Sequence, residues 1–132
     1  MTLKVPIISV LIGYGGSGGA LALCVADRIA ILENAVLSVI SPKACAEILW
    51  KDTGREAEAV EILKMTSKDL FEQGIANFIV PEPNGGVQTD VTEMTSRIKN
   101  YLVCEIHTLS KLHPSKLVRQ RRQRFRSIGQ KG

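Results

Sequence analysis

A chain of 132 residues, 45% hydrophobic and 23% charged, can bury one modest core and has the ordinary composition of a globular domain. No run approaches the roughly 20 apolar residues of a membrane-spanning helix, and Lys4 alone, with no small-residue cleavage pattern, does not read as a secretory leader or a transit peptide. The net charge of +4 conceals an asymmetry: residues 111–132 hold eight cations and no acid, which leaves −4 on the first 110, a distribution that favours a polyanion, an acidic partner subunit or a phosphorylated ligand.

Val5 to Ile12 is a nearly continuous apolar run bounded by glycine, as expected of a strand covered on both faces. The spacing predicts a turn over Gly13 to Gly19, a small-residue helix over Ala20 to Ala26 closed by Asp27-Arg28, and strands over Ile29 to Leu32 and Val36 to Ile40. Ser41 and Pro42 suit the cap and first position of a helix through Lys43 to Trp50. Further helices are expected at Arg55 to Met65, with Val60 and Leu63 on one stripe, and at Lys68 to Gln73, capped by Ser67 and stopped by Gly74.

A strand over Ile75 to Val80 ends at the loop Pro81 to Gly86. A long helix follows from Val91 to Lys111, broken by Pro114, and Lys116 to Arg126 forms a final basic helix. Strands alternating with helices imply an α/β layer structure with no repeat and no linker between domains. Trp50 and Phe71 fall at helical apolar spacing and are assigned to the core. Cys24, Cys45 and Cys104 are odd in number and widely spaced, which suits neither a disulfide framework nor a metal site. Cys24 and Cys45 read as buried free thiols in a reducing compartment.

The glycine run admits three chemical readings. Gly13-Tyr14-Gly15-Gly16-Ser17-Gly18 matches the dinucleotide-binding G-x-G-x-x-G, with Glu33 placed for a ribose hydroxyl. Gly15-Gly16-Ser17-Gly18-Gly19 also matches the G-x-S-x-G nucleophile elbow, for which Asp90 with His107 or His113 would complete a triad. The third reading uses the backbone alone: adjacent glycine amides at a helix start point at one oxygen and stabilise an oxyanion. A close-packed turn without a ligand is the plain alternative.

Taken together with Ser38-Val39-Ile40-Ser41-Pro42, Cys45-Ala46, Ile48 to Lys51, Ile79 to Gly86 and Arg121 to Phe125, the glycine segment resembles the α subunit family of the acetyl-CoA carboxylase carboxyltransferase over nearly all of the chain. The resemblance implies a partial crotonase-like α/β fold of stacked ββα units, with residues 1–112 as the C-terminal part of that domain and 113–132 as a basic C-terminal helix or tail. It implies transfer of a carboxyl group from the carboxybiotin of a carrier protein to acetyl-CoA, giving malonyl-CoA for fatty-acid synthesis.

Residue by residue, the resemblance gives Gly18 and Gly19 as paired amide donors to carboxybiotin and Gly15, Gly16 and Ser17 as substrate-binding. It requires no side-chain base, no metal and no covalently bound cofactor on this chain. The implied partners are a zinc-bearing β subunit, the biotin carboxyl carrier protein and biotin carboxylase, in a bacterial cytoplasm or plastid stroma. Neither a membrane span nor a nucleic acid is expected. Tyr14 and Lys43 stand where the family carries acids. The pattern starts inside the family's, so the strand Val5 to Ile12 is expected to keep an unpaired apolar edge and the piece to be inactive alone. Two alternatives remain open: a dinucleotide-binding module, and a non-catalytic assembly protein that docks through Arg119 to Arg126.

Overall fold

Parallel pairing divides the strands between two small sheets. The structure, a computed structural model, describes residues 2–130. One sheet has three parallel strands in the order β1 (Ile8–Leu11), β3 (Arg28–Leu32), β5 (Phe78–Val80). The other pairs β2 (Tyr14–Gly16) in parallel with β4 (Val36–Ser38). Helix α1 (Ser17–Leu23) follows β2, and α2 (Pro42–Trp50) follows β4. A strand–strand–helix path therefore occurs twice, and each pair of strands is split between the sheets. The sequence hides this repeat, because Tyr-Gly-Gly and Val-Leu-Ser occupy equivalent strands.

The remaining elements are a 3-10 turn (Thr53–Arg55), α3 (Glu56–Leu63), α4 (Ser67–Glu72), α5 (Val91–Ser110) and α6 (Pro114–Ser127). Element types agree with expectation except at Tyr14–Gly16, expected as turn and found as strand, and at the short 3-10 turn, and several boundaries move for identifiable reasons. The predicted strand Val5 to Ile12 shortens to Ile8–Leu11, because Pro6 carries no ladder donor and the carbonyls of Leu3 and Val5 accept from Arg121. The strand predicted to Ile40 ends at Ser38, whose hydroxyl donates to the Ile40 carbonyl at 2.7 Å. Thr66, not Ser67, caps α4 in a reciprocal box with Asp69, while the Ser67 hydroxyl donates to the Glu33 carbonyl at 2.6 Å. Ser41 and Pro42 act as predicted.

β3 is the centre of the core: Ile29, Ala30, Ile31 and Leu32 are fully buried, as a middle parallel strand requires. Leu70, Ala76, Val80 and Met94 close over it, and Ile98 and Tyr101 bring α5 against the same cluster. Cys45, Ala46 and Ala59 form a separate cluster between α2 and α3. Trp50 flanks that cluster half-buried, with the Arg55 guanidinium 4.2 Å from its ring centroid. Phe71 departs from the expected core position and is 50% exposed, since Leu70 takes the inward face of the short helix α4.

The C-terminal basic stretch is not a uniformly solvated face. Arg121 is buried and donates to both carboxylate oxygens of Asp27, at 2.8 and 2.7 Å. Its Nη1 donates to the Leu3 carbonyl and its Nη2, shared with Asp27, to the Val5 carbonyl, at 2.8 Å each, and Asp27 accepts the Ile7 amide at 2.8 Å. One guanidinium thus holds α6, the α1–β3 turn and the segment before β1. Removing one member of such a buried pair costs about 3–5 kcal/mol, because the other charge is left without compensation.

Candidate functional site

The glycine segment is a strand followed at once by a helix. Gly15 and Gly16 pair with Leu37 and Ser38 in β2, so half of the predicted turn is sheet. A Cβ on Gly15 would lie 3.0 Å from Leu37 Cδ1 and 3.4 Å from Leu11 Cδ2, so its small size serves close packing of the two strands. Ser17 opens α1 with φ of 61°, a left-handed conformation uncommon for a residue with a side chain. The helix begins three residues earlier than expected and takes Gly18 and Gly19 into its first turn.

Neither of those glycines has a packing or conformational need to be glycine. Both are exposed, neither has positive φ, and a Cβ on either would meet nothing within 4 Å. Glycine in place of alanine costs a helix roughly 0.5–1 kcal/mol per position. The first amides of a helix have no intrahelical acceptor. Here Gly16 provides no capping side chain and the first turn contains no acid, so those donors have no side-chain cap. The arrangement presents adjacent N–H groups to any oxygen that approaches the backbone closely.

A cavity of about 360 Å³ adjoins α1, lined mainly by apolar groups that include Leu21, Cys24, Val39, Phe125 and Ile128, with Ser17 at its margin. Phe125 of α6 and Ile128 just past its end are a contribution that sequence reasoning missed. Their signal was present, since Leu117, Arg121, Arg124 and Ile128 recur at helical spacing as an inward stripe on a basic helix. Arg124 donates to the carbonyls of Ala26 and Ile75, and burial lowers its pKa from the ordinary guanidinium value. Burial pushes the Cys24 thiol up, partly offset by the Arg124 charge.

The other candidates are engaged elsewhere. Asp90 caps α5 by accepting the Glu93 amide at 2.8 Å, and His113 caps α6, its Nδ1 accepting the Ser115 amide at 3.4 Å and lying 2.8 Å from Ser115 Oγ. His107 is exposed on α5. Among the described residues no hydrogen bond joins Ser17 to Asp90 or to either histidine. Glu33 accepts the Glu82 amide at 3.1 Å and so fixes the loop after β5. The G-x-G-x-x-G glycines leave β1 for a second sheet before reaching a helix, whereas the dinucleotide fingerprint turns directly from strand to helix.

A family profile described as acetyl co-enzyme A carboxylase carboxyltransferase-like matches residues 1–129. This chain belongs to that family. It is 48% identical over 127 residues to the acetyl-coenzyme A carboxylase carboxyl transferase subunit alpha of Listeria welshimeri, covering 96% of this chain and 40% of the relative. The protein of the same name from Thermus thermophilus is also 48% identical, with 96% and 41% covered, and that of Clostridium acetobutylicum is 46% identical, with 96% and 46% covered. The chain thus spans about two fifths of the length of these curated relatives.

Within this carboxyltransferase-like chain, Tyr14 is exposed at the start of β2, and its ring occupies the space a Cβ on Gly16 would need, 2.8 Å away. Lys43 lies in the first turn of α2, where a cation opposes the helix dipole. No helix among the described residues is long and apolar enough to cross a membrane.

Proposed function

We propose that the chain supplies a backbone oxyanion cradle, formed by the amides of Gly18 and Gly19, to carboxyl transfer from carboxybiotin to acetyl-CoA. The observation that carries this reading is the pair of glycines in the first turn of α1. Neither packing nor backbone geometry requires them, yet they lower helix stability, and close approach of a ligand oxygen to the backbone accounts for both. Membership of the carboxyltransferase-like family supports reading that chemistry as carboxyl transfer, in which such an oxygen develops charge.

Carboxybiotin, delivered by its carrier protein, supplies the activated carboxyl group. The two amides donate to the oxygen on which charge collects, and they do so without titrating. Donors fixed in this way are worth roughly 3–4 kcal/mol each in other oxyanion holes. Gly15 and Gly16 set the entry of β2 into α1, and Ser17 turns the chain and borders the cavity. The repeated strand–strand–helix path supports reading the α/β architecture as part of a crotonase-like fold, with residues 1–112 in that domain and 113–132 as a basic C-terminal helix or tail. The partners in this reading are a zinc-bearing β subunit, the carrier protein and biotin carboxylase, and the setting is a bacterial cytoplasm or a plastid stroma.

Gly18→Ala and Gly19→Ala test it. Each adds a Cβ where the fold has room, so thermal stability should hold or rise, while malonyl-CoA formation in a mixture reconstituted with β subunit and the complementary α region should fall by about 100-fold. Unchanged activity in both variants would overturn the cradle.

A further inference from the structure

Helix α6 divides its cations between two faces. Arg121 and Arg124 turn inward, where Asp27 and backbone carbonyls engage their donors. At about 100° per residue, Arg119, Arg122 and Arg126 fall within about 60° of one another on the opposite side, and all three are exposed. They line a groove of about 840 Å³ together with Lys4, Thr2 and Ser115. Its second wall is the segment before β1, which Arg121 holds against α6 through the carbonyls of Leu3 and Val5. Among the described residues none of the four groove cations is in an ion pair, and neither an acid nor an aromatic ring lines the groove.

Like charges three and four residues apart, as at 119, 122 and 126, destabilise a helix, and α6 contains no acid to offset them. An anion seated in the groove removes that repulsion. The walls select which anion. Guanidinium forks match phosphate oxygens two at a time. The three arginines are spread over about 10 Å of helix axis, a length suited to a chain of linked phosphates. Nucleobases stack on aromatic rings, and the groove has none. Two walls closing on a narrow space also suit a slender chain better than the convex surface of a folded partner. We propose that the groove between α6 and the segment before β1 binds an oligophosphate chain, the tail of a nucleoside polyphosphate or an inorganic polyphosphate, through Lys4, Arg119, Arg122 and Arg126. The site lies away from Phe125, which lines the cavity beside α1, and does not depend on the chemistry at Gly18 and Gly19.

Titration calorimetry of the full chain with inorganic tripolyphosphate tests the assignment. One saturable site is expected, at least about tenfold tighter than for orthophosphate and weakening with added salt. Lys4→Gln and Arg122→Gln, on different walls, should each weaken it by about tenfold. Lys99→Gln, at an exposed position of α5, should leave it unchanged. Tripolyphosphate should raise the Tm of the unsubstituted chain and of Lys99→Gln more than that of the groove variants, whose own Tm without ligand should hold. Adenosine triphosphate and tripolyphosphate should compete for the site, and the tighter of the two identifies the source of the phosphate chain. Absence of a saturable site, equal losses in Lys4→Gln and Lys99→Gln, or tighter binding of an RNA duplex or of polyglutamate than of tripolyphosphate would overturn the proposal.

Discussion

Asp27 and Arg121 lie 94 residues apart and share two charge-assisted hydrogen bonds, 2.7 and 2.8 Å long, with both side chains buried. The pair joins the first third of the chain to its last helix. Arg121→Ala should destabilise the fold by about 3–5 kcal/mol in urea unfolding. Arg121→Lys should restore little of that loss, because an ammonium cannot engage two carboxylate oxygens and two carbonyls in one plane. Arg122→Ala, one residue on and exposed, should shift stability by no more than about 0.5 kcal/mol. Equal effects at 121 and 122 would refute the clasp.

Tyr101 stacks on Phe78 with ring centroids 4.8 Å apart, while its hydroxyl is buried without a hydrogen-bond partner. Burial, reinforced by Glu105, holds its pKa up at about 12. The folded state therefore keeps a proton that the unfolded chain releases near pH 10. This contribution is fully present below pH 10 and is lost as pH rises towards 12. Tyr101→Phe should flatten the alkaline limb of a stability-versus-pH curve. At pH 7 it should be neutral or stabilising by about 1 kcal/mol, since an unsatisfied hydroxyl is removed.

The capping box of α4 links Thr66 and Asp69, and the hydrogen bonds from Thr66 lower the Asp69 pKa. A depressed carboxylate stabilises above its unfolded pKa and loses that contribution as pH falls through the folded value. Protection of α4 amides should therefore weaken in acid, below about pH 4. Thr66→Ala should cost about 1 kcal/mol and weaken this acid dependence, since only the backbone hydrogen bond to Asp69 survives, both readable by amide exchange.

Gly85 has φ of +93°, and a Cβ there would lie 2.7 Å from Thr89 Cγ2. Gly85→Ala should lose about 1–3 kcal/mol in thermal unfolding. Gly19→Ala, free of both constraints, should hold or gain stability. A loss at Gly19 equal to that at Gly85 would show that the first turn of α1 is packed more tightly than its geometry indicates.

What the sequence determined by itself is local. The order of strands and helices apart from β2, the Ser41-Pro42 helix start, the loop Pro81 to Gly86, the buried thiols of Cys24 and Cys45 and a glycine pair at a helix opening were all legible, because caps, turns and periodicity act within about four residues. Which sheet each strand joined was not legible, since the partners of Tyr14 to Gly16 lie 22 residues away and glycine carries no burial pattern. Nor was the fate of Arg121, which reads as one more cation in a basic run. Only the tertiary structure places Asp27 and two backbone acceptors around it, because desolvating a charge depends on groups far apart in the chain. The same holds for the open edge beside β1 and β2: the apolar residues were visible in the sequence, but their lack of a neighbour is a property of the assembled sheets.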